Sequence, residues 1–138
     1  MFAVIGLAFA LASCQGEQQQ EAAPSTEECE QAAVAVAGAA TGVDHVLTGE
    51  PAALKDFSDD LEAYAPSVPD DARSDFGVVR DGYGSLVDAL SENGYDFTSK
   101  DPPSQEASAA LQAKASELKA GGFEEAAKRL REGHFASC

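Results

Sequence analysis

The sequence predicts an all-α fold, a small four- to five-helix up-and-down bundle. Apolar residues recur at intervals of three and four along nearly the whole chain, and strict alternation is almost absent. Alanine supplies much of the 44% apolar content, Trp is absent and the single Met is Met1. The core must then be built from Leu, Val, Phe, Tyr and Ala, which suits closely packed helices.

Each helix is read from its stripe and its ends. Ser25-Thr26-Glu27-Glu28 has the form of a capping box, with Ser25 as N-cap and Glu28 three positions on. The first helix is expected to run from there to about Leu47 on a stripe of Ala33, Val36, Ala40, Val43 and Leu47, and to end at Gly49. Pro51 suits a first helical turn. Leu54, Phe57, Leu61 and Tyr64 then mark a second helix over 51–65, stopped by Pro66-Ser67-Val68-Pro69. Asp70 and Asp71 suit the positive end of a third. Its stripe is Val68, Ala72, Phe76, Val79, Tyr83, Leu86 and Leu90. Gly77, Gly82 and Gly84 each lower its propensity by ~1 kcal/mol relative to Ala, and point to close backbone packing or a kink. Asn93-Gly94 ends it. Asp101 is the expected N-cap of a fourth helix carrying Ala107, Leu111, Ala115 and Leu118, which Gly121-Gly122 breaks. Phe123, Ala127, Leu130 and His134 mark a fifth. On it, spacing sets Glu124 four residues before Lys128 and Glu125 four before Arg129, on the outer side.

The first 24 residues are different. Phe2 to Ser13 carries no charge, ends at Cys14, and is followed at once by Gln15-Gly-Glu-Gln-Gln-Gln-Glu. Twelve apolar residues fall short of the ~20 that cross a bilayer. They fit the apolar core of a signal peptide with small residues before a cut. Leu11-Ala12-Ser13-Cys14 resembles the lipobox of bacterial lipoprotein precursors. The resemblance implies cleavage before Cys14, diacylglycerol on its sulfur, and a location on the extracytoplasmic face of the cell membrane. Two acyl chains anchor stably where one does not. A basic stub normally precedes such an apolar core, so the start codon is expected to lie upstream of Met1. Residues 1–13 are then signal peptide, and 14–24 a polar lipidated tether with no large apolar residue to bury. As a coil of ten residues the tether would span ~18 Å. Residues 25–138 form the acidic helical domain, of a size for one core.

With Cys14 given to lipid, Cys29 and Cys138 remain, and in an exported protein an even pair reads as a disulfide. It would join the two ends of the domain. No Cys-x-x-Cys occurs, and His134 with Cys138 makes at best a two-ligand fragment, so no metal site is expected. In an up-and-down bundle, the start of the first helix and the end of the last share a pole only when the number of helices is even. Five segments and a Cys29–Cys138 bond therefore require that one short segment, 51–65 or 123–136, not be a full antiparallel span but lie crosswise. A cysteine near each end and a Pro-Asp-Asp helix start midway also resemble small secreted or lipid-anchored helical domains of high-GC bacteria. That likeness implies no activity.

The formal charge of −15 sits in the first two-thirds. Residues 14–99 hold 18 acidic side chains against Lys55, Arg73 and Arg80, whereas 100–138 hold six of each sign. Such a field disfavours nucleic acid and anionic headgroups. It suits solubility, or a basic protein partner in the cell envelope.

Chemistry is not legible. Nucleophilic catalysis needs a nucleophile beside an oriented base. The two histidines, His45 and His134, read as surface and packed residues, and no Gly-x-Ser-x-Gly, phosphate loop or EF-hand occurs. Asp56, Asp59 and Asp60, and Asp70, Asp71 and Asp75, form two carboxylate groups that read as solvated helix faces, without the apolar pocket an acid catalyst needs. No cofactor and no enzymatic activity are expected. Tyr95 and Phe97, in the loop before the fourth helix, read either as a contact surface or as a cap on the alanine-rich core. The function expected is binding or structural: a protein–protein contact through Tyr95, Phe97, Asp59, Asp60, Asp70 and Asp71. The alternative is a small-ligand carrier with a pocket among Tyr64, Phe76 and Tyr83.

Overall fold

The structure, a computed structural model, describes residues 25–138; the proposed signal peptide, lipobox, Cys14 and tether lie outside the described residues. The described residues are all-α with no strand. Six helices follow in order: α1 (Thr26–Thr41), α2 (Val43–Leu47), α3 (Pro51–Tyr64), α4 (Arg73–Glu92), α5 (Gln105–Ala120) and α6 (Phe123–Glu132). Short 3₁₀ turns follow α3 (Ala65–Ser67) and α6 (His134–Ser137).

The capping box forms as the sequence requires. The Glu28 amide donates to the Ser25 hydroxyl at 3.1 Å and the Ser25 amide donates to the Glu28 carboxylate at 3.2 Å. The first helix, however, does not run unbroken to Leu47. Gly42 takes φ 137°, outside the range of L side chains, and α2 starts afresh after it. The first amide of α2, on Val43, has no acceptor within its own helix and donates to the Glu124 carboxylate at 3.1 Å. Glu124 is thus drawn inward rather than paired with Lys128. Lys128 instead meets Glu125 at 3.3 Å, and Arg129 turns to Asp75. The fourth helical start also shifts. Ser104, not Asp101, is the N-cap of α5, and its hydroxyl accepts from the Ala107 amide at 3.1 Å. The two prolines 102–103 stay in the preceding loop. Likewise Asp70 and Asp71 lie in a turn ahead of α4, which begins at Arg73.

Direction follows from contacts. The Tyr64 hydroxyl, at the end of α3, reaches Cys29 at the start of α1 (3.6 Å), so α3 runs antiparallel to α1. Arg80 of α4 reaches back to Glu62 at 3.5 Å, and Tyr83 meets Phe57, so α4 runs antiparallel to α3. Asp75 near the start of α4 binds Arg129 near the end of α6, while Gly82 packs on Phe123 at the start of α6. Hence α6 returns along the N-terminal half of α4. The other half is covered by α5: Ala110, Ala113 and Glu117 share a cleft with Ser85, Ala89 and Asn93, and Leu118 near the end of α5 comes within 3.4 Å of a β-carbon placed on Gly82, so α5 also runs back along α4. Five segments therefore do not alternate: α6 follows α5 in the same sense after the turn at Gly121-Gly122, where Gly122 has φ 83°. The last leg ends where α1 begins. Cys29 and Cys138 form a disulfide with α-carbons 5.8 Å apart.

The core is continuous. Ala32, Ala35, Val36 and Ala39 of α1 are fully buried with Leu61, Val79, Tyr83, Leu86 and Phe123. Of the three glycines in α4, only Gly82 marks a close approach: a β-carbon there would stand 2.4 Å from the Phe123 ring. Gly77 and Gly84 have open space around them.

Candidate functional site

Three surfaces gather the residues in question. The first is the acidic side of α3 and the turn after it. Lys55 binds Asp59 at 2.6 Å and Arg73 binds Asp70 at 3.0 Å, so two of these four carboxylates are already paired. Asp71 is exposed. Asp60 is half-buried, and desolvation, then the neighbouring Asp56 and Asp59, raise its pKa above the ordinary carboxylate value. Asp75 behaves oppositely. Arg129 Nε and Nη2 hold its two oxygens at 2.9 and 2.7 Å, and this bidentate bond keeps its carboxyl below the usual range. Asp75 is a tie between helices and not part of a solvated face. Among the described residues no cluster of three or more His, Cys, Asp or Glu is placed to hold a metal ion.

The second surface is the loop after α4. Tyr95 and Phe97 are half-buried, meet edge-on at 4.9 Å, and pack against the core. Their outer sides border a cleft of about 670 Å³ with Pro51, Lys100 and Pro102. Asp96 shapes the loop by accepting from both the amide (2.8 Å) and the hydroxyl (2.6 Å) of Thr98.

The pole that carries the disulfide is aromatic. Tyr64, 1% exposed, packs at a tilt against the rings of Phe76, His134 and Phe135. Its hydroxyl shares a 2.7 Å hydrogen bond with His134 Nε2. Burial raises the Tyr64 pKa above the ordinary phenol value. Tyr83, wedged between Phe57 and Phe123, donates to the Ala35 carbonyl at 2.6 Å, and burial raises its pKa strongly. The space among Tyr64, Phe76 and Tyr83 is thus filled by rings, and the pocket expected there does not form.

A groove does open elsewhere, on a face that the sequence reading passed over. It occupies about 500 Å³ between α1, α2 and the first turns of α3. Val34, Ala37 and Gly38 form one wall, Ala53 and Phe57 the other, and Val46 closes one end. Val34 is 58% exposed, the most exposed large apolar side chain of the domain. A signal existed: Val34, Ala37 and Thr41 recur at three and four, a second stripe beside the core stripe of α1. No helix among the described residues is long and apolar enough to cross a membrane. No protein-family model, curated protein or solved structure matches this chain.

Proposed function

We propose that this is an extracytoplasmic, lipid-anchored protein with a non-enzymatic binding role at the cell envelope. The observation that carries the reading is the Cys29–Cys138 bridge. Disulfides of this kind persist in oxidising compartments. That agrees with the apolar run closing at Cys14 in a lipobox-like Leu-Ala-Ser-Cys. The acidic excess and the half-buried Tyr95–Phe97 pair support a basic protein as the partner.

Radiolabelled palmitate should label the wild type and not Cys14→Ala, and the protein should fractionate with membranes carrying Cys29 and Cys138 oxidised. Partner capture from membrane extracts should weaken with salt, and with Asp59, Asp60, Asp70 and Asp71 all changed to Asn. Unlabelled wild type with reduced thiols would remove the localisation. Capture indifferent to salt and to the four substitutions would remove the acidic surface as the binding site.

A further inference from the structure

Against 24 acidic residues in the chain, the α1–α3 groove is lined by none. His45 is its one titratable lining residue. Its volume lies within the ~300–1,000 Å³ of small-molecule sites; the hydroxyls of Thr41 and Thr48 on its lining are taken up by the Ala37 and His45 carbonyls, and the rest of its walls, His45 apart, offers methyl groups, a phenyl ring and backbone. Cationic and strongly polar ligands find no counter-charge there. The occupant such a lining suits is a hydrocarbon chain.

Where one would come from follows from the chain's own length. α1 opens at Ser25, and Gly38 lies thirteen residues further along it, about 20 Å of helix. Ten residues lie between Cys14 and Ser25, and the eleven steps across them give a contour of at most ~40 Å. An acyl chain carried on Cys14 can therefore reach the groove without leaving its covalent tether. Tethering makes the encounter intramolecular, at the high effective concentration of a short linker. A free lipid must be captured from solution and has no such advantage. We infer that the groove is the seat of one acyl chain borne by Cys14. The domain would then shield part of its own anchor whenever it stands away from a bilayer. This rests on the lipidation of Cys14 proposed above.

The test uses the full chain, lipidated in cells fed a diazirine-bearing palmitate analogue, purified, irradiated and mapped by peptide mass. Intramolecular cross-links should fall on the segment 34–57. Val34→Asp, which charges an exposed rim position and needs no repacking, and Ala53→Trp, which fills the groove, should each cut their yield at least fivefold. Val78→Trp, on the exposed face of α4, should leave it unchanged. A helical circular dichroism spectrum with a cooperative melt reports that each variant is folded. A labelled protein cross-linked only to bulk lipid or to other faces overturns the inference and leaves the lipidation standing. An unlabelled wild type overturns both. Equal cross-linking of Cys14→Ala by an equimolar amount of the free analogue overturns the tethered source and assigns the groove to free lipid.

Discussion

Gly82 shows how a single missing side chain sets the spacing of two helices. With the Phe123 ring only 2.4 Å from where a β-carbon would sit, Gly82→Ala must push α6 off α4 or force the ring from its rotamer. Overpacking of this kind costs ~1–3 kcal/mol. Gly77 and Gly84 have nothing within reach, so alanine there should add about 0.5–1 kcal/mol of stability through helix propensity alone. Urea denaturation of the three variants checks the sign at each site. The sequence places all three glycines in one helix and cannot rank them, because their spacing carries no information about which neighbour lies opposite. The same holds for Tyr64. Its place in an apolar stripe is plain from the sequence, but its bond to His134 joins residues 70 apart. Tyr64→Phe leaves Nε2 half-buried without that partner and should cost about 1 kcal/mol.

Between elements, the ion pair of Asp75 with Arg129 fastens α4 to α6, and its pH dependence has a definite sign. The pKa of Asp75 is lowered in the folded state, so its contribution is present above the ordinary carboxylate pKa and is lost as pH falls through the folded value. Asp75→Asn should therefore lower the melting temperature at neutral pH, and the gap to wild type should close in acid. Asp60 has the opposite shift, so its charge opposes folding at neutral pH. Asp60→Asn should raise the melting temperature at pH 7, and the gain should fade as pH drops below its raised pKa. Melting curves at several pH values separate the two. Stripes and caps made most of the helices legible: the capping box, the helix from Pro51 and the break at Gly121-Gly122 all rest on local chemistry. What escaped was tertiary. Gly42 ends α1 although the apolar stripe runs through it, because the helix must turn for α2 to meet α5 and for Glu124 to cap Val43. The groove escaped for a related reason: Val34 and Ala37 look like spare apolar residues until α3 is set beside them.

At the scale of the whole molecule, the parity of the bundle and the disulfide are one fact. The bridge closes a separation of 109 residues, and it can do so only because α5 and α6 run in the same sense and return the chain end to the pole where α1 starts. In the chain-entropy account a loop of this size restrains the unfolded chain by ~4–5 kcal/mol. A domain of this size is stable by only ~5–15 kcal/mol, so the bond is a large share of the margin. Apart from the 3.6 Å contact of the Tyr64 hydroxyl with Cys29, the packing at that pole does not depend on the sulfurs: the rings of Tyr64, Phe76 and Phe135 pack on one another, and α6 packs on both α1 and α4. Losing the bond should therefore weaken the fold without redrawing it. Cys29→Ala, Cys138→Ala and the double variant should each lose about 3–5 kcal/mol in urea, with the double variant no worse than either single. Wild type under a reducing agent should follow the same curve. A loss below about 1 kcal/mol would mean that the aromatic pole already holds the two ends together in the unfolded chain, leaving the bridge little freedom to remove.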